Sequence, residues 1–165
     1  MTFFAWLHGA TGPTGPTGPE AESAAANLLS AYSVPAAAGN NCEALVFDRH
    51  SLSYGTAIDH TPGTGEFTIK EPGVYVMSFQ GNFAPVTGAS FPFTLTLYLD
   101  VDGTMIQSGA APHVFNTSVE NQNMAFSSPF EVSSAPVTVS VRSQGGTYLY
   151  NTVGITIYKL GEIPV

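Results

Sequence analysis

The chain has 165 residues and carries a formal net charge of −8 although only 10% of its residues are charged, which fits one domain with a short appendage. Its Lys and Arg residues (Arg49, Lys70, Arg142 and Lys159) are scattered, so neither a nucleic acid nor an anionic membrane surface finds the clustered cations it needs. One cysteine, Cys42, excludes an internal disulfide. Residues 1–8, "MTFFAWLH", form an apolar segment too short to span a bilayer and without the basic start and cleavage pattern of a secretory signal, so neither a membrane span nor export by the general route is expected from it.

Residues 9–20, "GATGPTGPTGPE", place glycine at Gly9, Gly12, Gly15 and Gly18, with proline second in three of the four triplets. A strict Gly-x-y period is what three polyproline-II chains need, because only glycine fits at their common axis. The segment is therefore read as a collagen-like stub, and its consequence is a homotrimer. Four triplets extend over roughly 35 Å at the polyproline-II rise, too little to hold three chains together, so a second trimerising element is expected downstream. Residues 21–32, following Pro19 and Glu20, are Ala-rich and predict a short helical neck that packs Leu28, Leu29 and Tyr32.

From residue 33 to 165 the pattern is β. "EALVFDR", "GVYVMSFQGNFA" at 73–84, "FTLTLYLDV" at 93–101, "PVTVSVRS" at 136–143 and "YLYNTVGITIYKL" at 148–160 alternate or are rich in aromatic and β-branched residues. "TPGTG", "EPG", "VTGAS", "SGAAP" and "SQGG" punctuate them as turns. Eight to ten short antiparallel strands and no helix after residue 32 predict an all-β sandwich or jelly roll. Eleven Phe, seven Tyr and one Trp exceed what one small core needs, and the surplus is expected at a subunit interface, with Tyr75, Phe79 and Tyr158 as the named contributors.

Three constellations bear on chemistry. "LYLDVDGTMI", Leu97 to Ile106, resembles the first motif of haloacid-dehalogenase-type phosphatases, in which the position of Asp100 would be the nucleophile and that of Asp102 the acid/base. That chemistry needs a parallel strand apolar on both faces. Here Leu95, Leu97, Leu99 and Val101 alternate with Thr94, Thr96, Tyr98 and Asp100, which marks an antiparallel strand with one wet face, and Asp102-Gly103 reads as a two-residue type I′ hairpin turn. His8, His50, His60 and His113 show neither metal spacing nor a partnered nucleophile, and Asp48/His50 and Asp59/His60 read as exposed polar pairs. Asp100 and Asp102 fall short of the oxygens calcium takes. No catalytic residue, cofactor or metal is assigned.

Two resemblances follow from these residues. A collagen-like segment before a β head resembles the complement C1q and tumour-necrosis-factor superfamily, and Phe67, Gly73, Tyr75 and Phe79 of "FTIKEPGVYVMSF" fit the C1q pattern, with Met77 at its central aromatic. "GATGPTGPTGP", "NLLSAYSVPA", "LVFDRHSLSYGTAI", "EPGVYVMSFQGNFAPVTGASFP" and "GGTYLYNTVGITIYKLG" together look like bacterial collagen-like surface proteins of the BclA exosporium glycoprotein type, over roughly residues 9 to 161. The resemblance implies a C1q/TNF-like jelly-roll head at 33–165 and a homotrimer capping a collagen filament on a spore (exosporium) or cell surface. It also implies O-linked sugar on Thr11, Thr14 and Thr17. The resulting expectation is a non-enzymatic structural protein. The alternative is a trimeric binding module (an adhesin, lectin-like head or phage-fibre tip) whose partners would be glycans or host surface proteins.

Overall fold

In the computed structural model, residues 26–164 are described. They form eleven strands: β1 (Leu28–Ser33), β2 (Ala37–Gly39), β3 (Arg49–Tyr54), β4 (Ile58–His60), β5 (Glu66–Ile69), β6 (Gly73–Pro85), β7 (Phe93–Val101), β8 (Thr104–Phe115), β9 (Gln122–Val132), β10 (Val137–Gln144) and β11 (Tyr148–Gly161). All pair antiparallel. One sheet runs β3-β1-β11-β6-β9, with β2 also on β11, and the other runs β4-β5-β10-β7-β8. This is the jelly-roll sandwich that the alternating patterns predict, and no helix occurs among the described residues.

The core forms where the two inner faces meet. Leu95, Leu97 and Leu99 of β7 and Val139 and Val141 of β10 are fully buried, on the parity the sequence assigns them. From the facing sheet come Tyr75, Met77, Phe79 and Phe83 of β6 and Val153, Ile155 and Ile157 of β11. Burying each such side chain contributes on the order of 2 kcal/mol, which is what holds two sheets with so few ion pairs.

Three expectations need correction. Residues 28–32, expected to end a helical neck, belong to strand β1, an interior strand of the larger sheet. Alanine propensity is a weak local preference; pairing with β11 and β3 on either side, and burial of Leu29 and Ala31, outweigh it. The head therefore begins before residue 33, while residues 21–25 and the collagen-like segment lie outside the described residues. "EALVFDR" is not one strand: Leu45 N–H donates to Val141 O and Phe47 N–H to Thr64 O, so the segment touches β10 and the β4–β5 connection in passing while burying Leu45 and Phe47. "SGAAP" is not a turn but part of β8, where the register jumps from Leu99↔Ile106 to Tyr98↔Ala110. The residues looped out there bring Ser108 Oγ to 2.7 Å from Ser128 Oγ on β9 and tie the two sheets along that side.

The hairpin reading of "LYLDVDGTMI" holds. Val101 pairs with Thr104, and the two residues between them, Asp102 (φ 51°) and Gly103 (φ 82°), both lie in the left-handed region that a type I′ turn requires.

Candidate self-association face

The outward surface of the larger sheet is organised in four rows, three of which cross all five strands of its main path. At one end, Tyr54, Leu28, Tyr158, Val76 and Pro129 stand side by side on β3, β1, β11, β6 and β9, as their pairings dictate. The next row is Leu52, Ser30, Thr156, Ser78 and Ser127. Within it Thr156 Oγ1 donates to Ser30 Oγ at 3.0 Å and the Ser78 and Ser127 hydroxyls lie 2.9 Å apart. A third row holds Arg49, Tyr32, Gly154, Gln80 and Ala125. A fourth holds Asn151, Asn82 and Asn123, with Asn123 Nδ2 donating to Asn82 Oδ1 at 3.2 Å.

These side chains alternate with the core residues of the same strands, so the face is a direct product of the period of two. Between Arg49 at the β3 edge and Glu131 on β9, no charged side chain interrupts the four rows. Tyr54 and Leu52 are 57% and 49% exposed, unusual for large apolar side chains on a sheet. Gly154, which has no side chain, opens a groove of about 490 Å³ between Ser30, Tyr32, Gln80 and Thr156. A broad, neutral surface with an apolar row and internally satisfied hydroxyls is suited to burial, because covering it strands no charge and few unpaired polar groups.

Of the residues expected at an interface, Tyr158 lies on this face. Tyr75 and Phe79 do not: both are buried inside the protomer, where Tyr75 stacks on Phe130 and donates its hydroxyl to Glu71 O at 2.8 Å. They share the inward parity of β6 with Met77 and Phe83, which leaves them no surface for a partner. Gly9, Gly12, Gly15, Gly18, Thr11, Thr14 and Thr17 lie outside the described residues.

Asp100 was expected on a wet face and is instead buried. Its carboxylate folds back to accept the Gly103 N–H at 3.1 Å and sits 3.5 Å from Arg142 Nε, so its function is to fasten the turn. Arg142 in turn donates to Cys42 O and Glu66 Oε1.

The sequence reading missed a histidine pair. His60 is buried, not exposed; it stacks on Phe67 with ring centroids 4.1 Å apart, and its Nδ1 lies 2.8 Å from Nε2 of His50. A signal for His60 was available, since Ile58 and His60 share one parity opposite the core residues Ile69 and Phe67. Among the described residues, no group of three or more His, Cys, Asp or Glu side chains is placed to hold a metal ion. Nor is any helix there long and apolar enough to cross a membrane, which leaves membrane-spanning β-barrels unaddressed.

No family model matches the chain, and no curated protein matches it. Solved structures do. The chain is similar to Eiger TNF from S. frugiperda, with a TM-score of 0.65 at 11% identity over 86% of this chain and 96% of that one. It is also similar to murine APRIL crystallised at pH 8.5 (TM-score 0.62, 13% identity, 82% and 99% covered) and at pH 5.0 (0.61, 14%, 81% and 100%). At such identities the likeness is one of fold: the head is a TNF-like jelly roll.

Proposed function

We propose that this chain is a non-enzymatic, homotrimeric surface protein whose head trimerises through the outward face of the β3-β1-β11-β6-β9 sheet and caps a collagen-like stalk on a bacterial spore or cell surface. The observation that carries the reading is the continuous uncharged face, with its row of Tyr54, Leu28, Tyr158, Val76 and Pro129. Its position supports the stalk as well. The chain enters β1 at Leu28, in that same row, on the strand next to the β3 edge. Three heads packed through this face would feed their preceding segments toward a common axis, which is the geometry a Gly-x-y trimer needs.

The TNF-like fold and the resemblance to BclA-type proteins support the same stoichiometry and the surface setting. Asp100, the residue a phosphatase reading would need, is committed to a turn and to Arg142. Light scattering on purified protein at micromolar concentration tests the proposal, with residues 26–165 retained so that β1 is kept. A mass three times that of one chain is expected, from the head alone as from the full 17.3 kDa chain. A monomeric head would overturn it.

A further inference from the structure

His50 lies on β3, at the edge of the larger sheet, and His60 on β4, at the edge of the smaller one. Their rings meet head-on across the open side of the sandwich, Nε2 to Nδ1, at 2.8 Å. The rest of the site fixes which nitrogen carries hydrogen. His60 Nε2 lies 3.1 Å from Thr64 O, and a carbonyl can only accept, so Nε2 bears the proton and neutral His60 offers Nδ1 as an acceptor. His50 Nε2–H is then the donor.

We infer that the His50–His60 hydrogen bond is an acid-opened latch between the two sheets, holding edge strand β3 down while the pair is neutral and releasing it when both rings are protonated. One proton can be shared between the facing nitrogens. Two cannot, because two N–H groups would then point at each other with like charges. β3 is the element least able to resist: all six of its residues are exposed, and its pairing with β1 shifts register between Ser30 and Ala31, just where His50 sits. His60 cannot withdraw into water, being stacked on Phe67 and edge-on to Phe47. Its burial lowers its pKa from the ordinary 6.5, with the charge of His50 acting the same way against the Thr64 carbonyl and Asp59.

The sign follows from that shift. A group whose folded pKa is depressed leaves stability intact above its unfolded value and removes it as the pH falls through the folded one. Other charged groups nearby do not mimic the effect. Asp59 is held below the usual carboxylate range by its hydrogen bond to Lys70, 2.9 Å away, and stays ionised across the window. Arg49 pairs with Tyr32 on the opposite face of β3, with Asp48 beside it, and Ala31 of β1, paired with His50, carries no charge.

Amide hydrogen exchange on the full chain, followed between about pH 7.5 and pH 5 and corrected for intrinsic exchange, reads the latch directly. Protection of residues 49–54 is expected to fall roughly tenfold per pH unit once the pair begins to take its second proton, while β6 and β11 stay protected. In His50→Gln the amide still donates to His60 but cannot titrate, and β3 protection should become flat with pH. Wild-type protection of β3 that does not respond to acid, loss of protection spread over both sheets, or an unchanged acid response in His50→Gln would each overturn the inference. One consequence rests on the self-association reading: β3 carries Tyr54 and Leu52, so acid should also loosen the trimer. Light scattering on the same samples separates the two ideas, since a monomer at pH 7.5 would refute self-association while β3 protection still reports on the latch within one chain.

Discussion

A single carboxylate placed at the centre of the neutral face tests the self-association reading most sharply. Ser78 sits on β6, flanked in its row by Thr156 and Ser127, and its side chain points away from the core. In an isolated protomer Ser78→Glu meets solvent, and the fold should lose no more than about 0.5 kcal/mol. In the assembled trimer the same carboxylate is desolvated with no cation at hand, since Arg49 stands at the far edge of the sheet. An unpaired buried charge costs several kcal/mol; taking about 3 for each of three copies gives about 9 kcal/mol per trimer. At about 1.4 kcal/mol per factor of ten, the trimer dissociation constant rises by about a million. That constant scales as concentration squared, so the midpoint of dissociation moves up by about a thousandfold. Light scattering across a concentration series measures it, with circular dichroism to show the head is still folded. Thr94→Glu, exposed on β7 of the other sheet, is the matched control and should leave the trimer unchanged. A Ser78→Glu head that keeps the parent mass and midpoint would refute the assignment of the face, and dissociation of Thr94→Glu instead would move it to the opposite sheet.

Four further outcomes follow from the core and the turn. The Tyr148 hydroxyl is buried with only Ser143 near it, whose own hydroxyl is given to Asn40 O, and burial pushes the Tyr148 pKa up to about 12; Tyr148→Phe should raise the urea midpoint by an amount equivalent to about 1 kcal/mol, whereas a loss would mean that Ser143 satisfies the hydroxyl. Gly39 lies under that ring, and a Cβ there would come within 2.3 Å of it; Gly39→Ala should cost about 1–3 kcal/mol by thermal unfolding at fixed protein concentration. Asp100→Ala removes the acceptor for Gly103 N–H and the partner of Arg142, and should cost about 1–3 kcal/mol in urea. The wild-type protein should show no magnesium-dependent hydrolysis of p-nitrophenyl phosphate, and turnover abolished by Asp100→Asn would restore the phosphatase reading.

What was legible in the sequence was whatever a single strand decides alone. Alternation assigned Leu95, Leu97 and Leu99 to the core and Thr94 and Thr96 to the other side, and Asp102-Gly103 declared its turn because two successive residues had to accept positive φ. What was illegible depends on a second strand. Residues 28–32 look helical by composition and become strand because β11 and β3 flank them. His50 stands on the His60 side of β3 only because β1 and β3 slip register beside it, which no pattern within "RHSLSY" records. The interface expectation failed at Tyr75 and Phe79 for a related reason: large aromatics were sought, while the parity of β6 had already placed them inside. The surface left over is built from the residues between them, Val76, Ser78 and Gln80, whose small or neutral side chains carry no individual signal.

The sandwich also limits how copies of the head can meet. Exposed strand edges invite pairing with another chain, and natural sheets protect them. Here both open sides are tied across: Ser108 to Ser128 where β8 meets β9, and His50 to His60 where β3 meets β4. The close approach on the β8 side is tight enough that a Cβ on Gly109 would come within 3.0 Å of Ser128 Cβ. With the edges drawn together, strand addition between heads is disfavoured, and the flat rows on the larger sheet remain as the broad surface available to a second copy. A contact between unlike patches closes into a ring only where its rotation returns the last copy to the first, and a three-fold rotation that gathers the neutral faces around one axis does so. On the proposed reading, a head that registers three glycine-repeat segments needs that closure, and the tied edges and the neutral face would serve the same requirement from opposite directions.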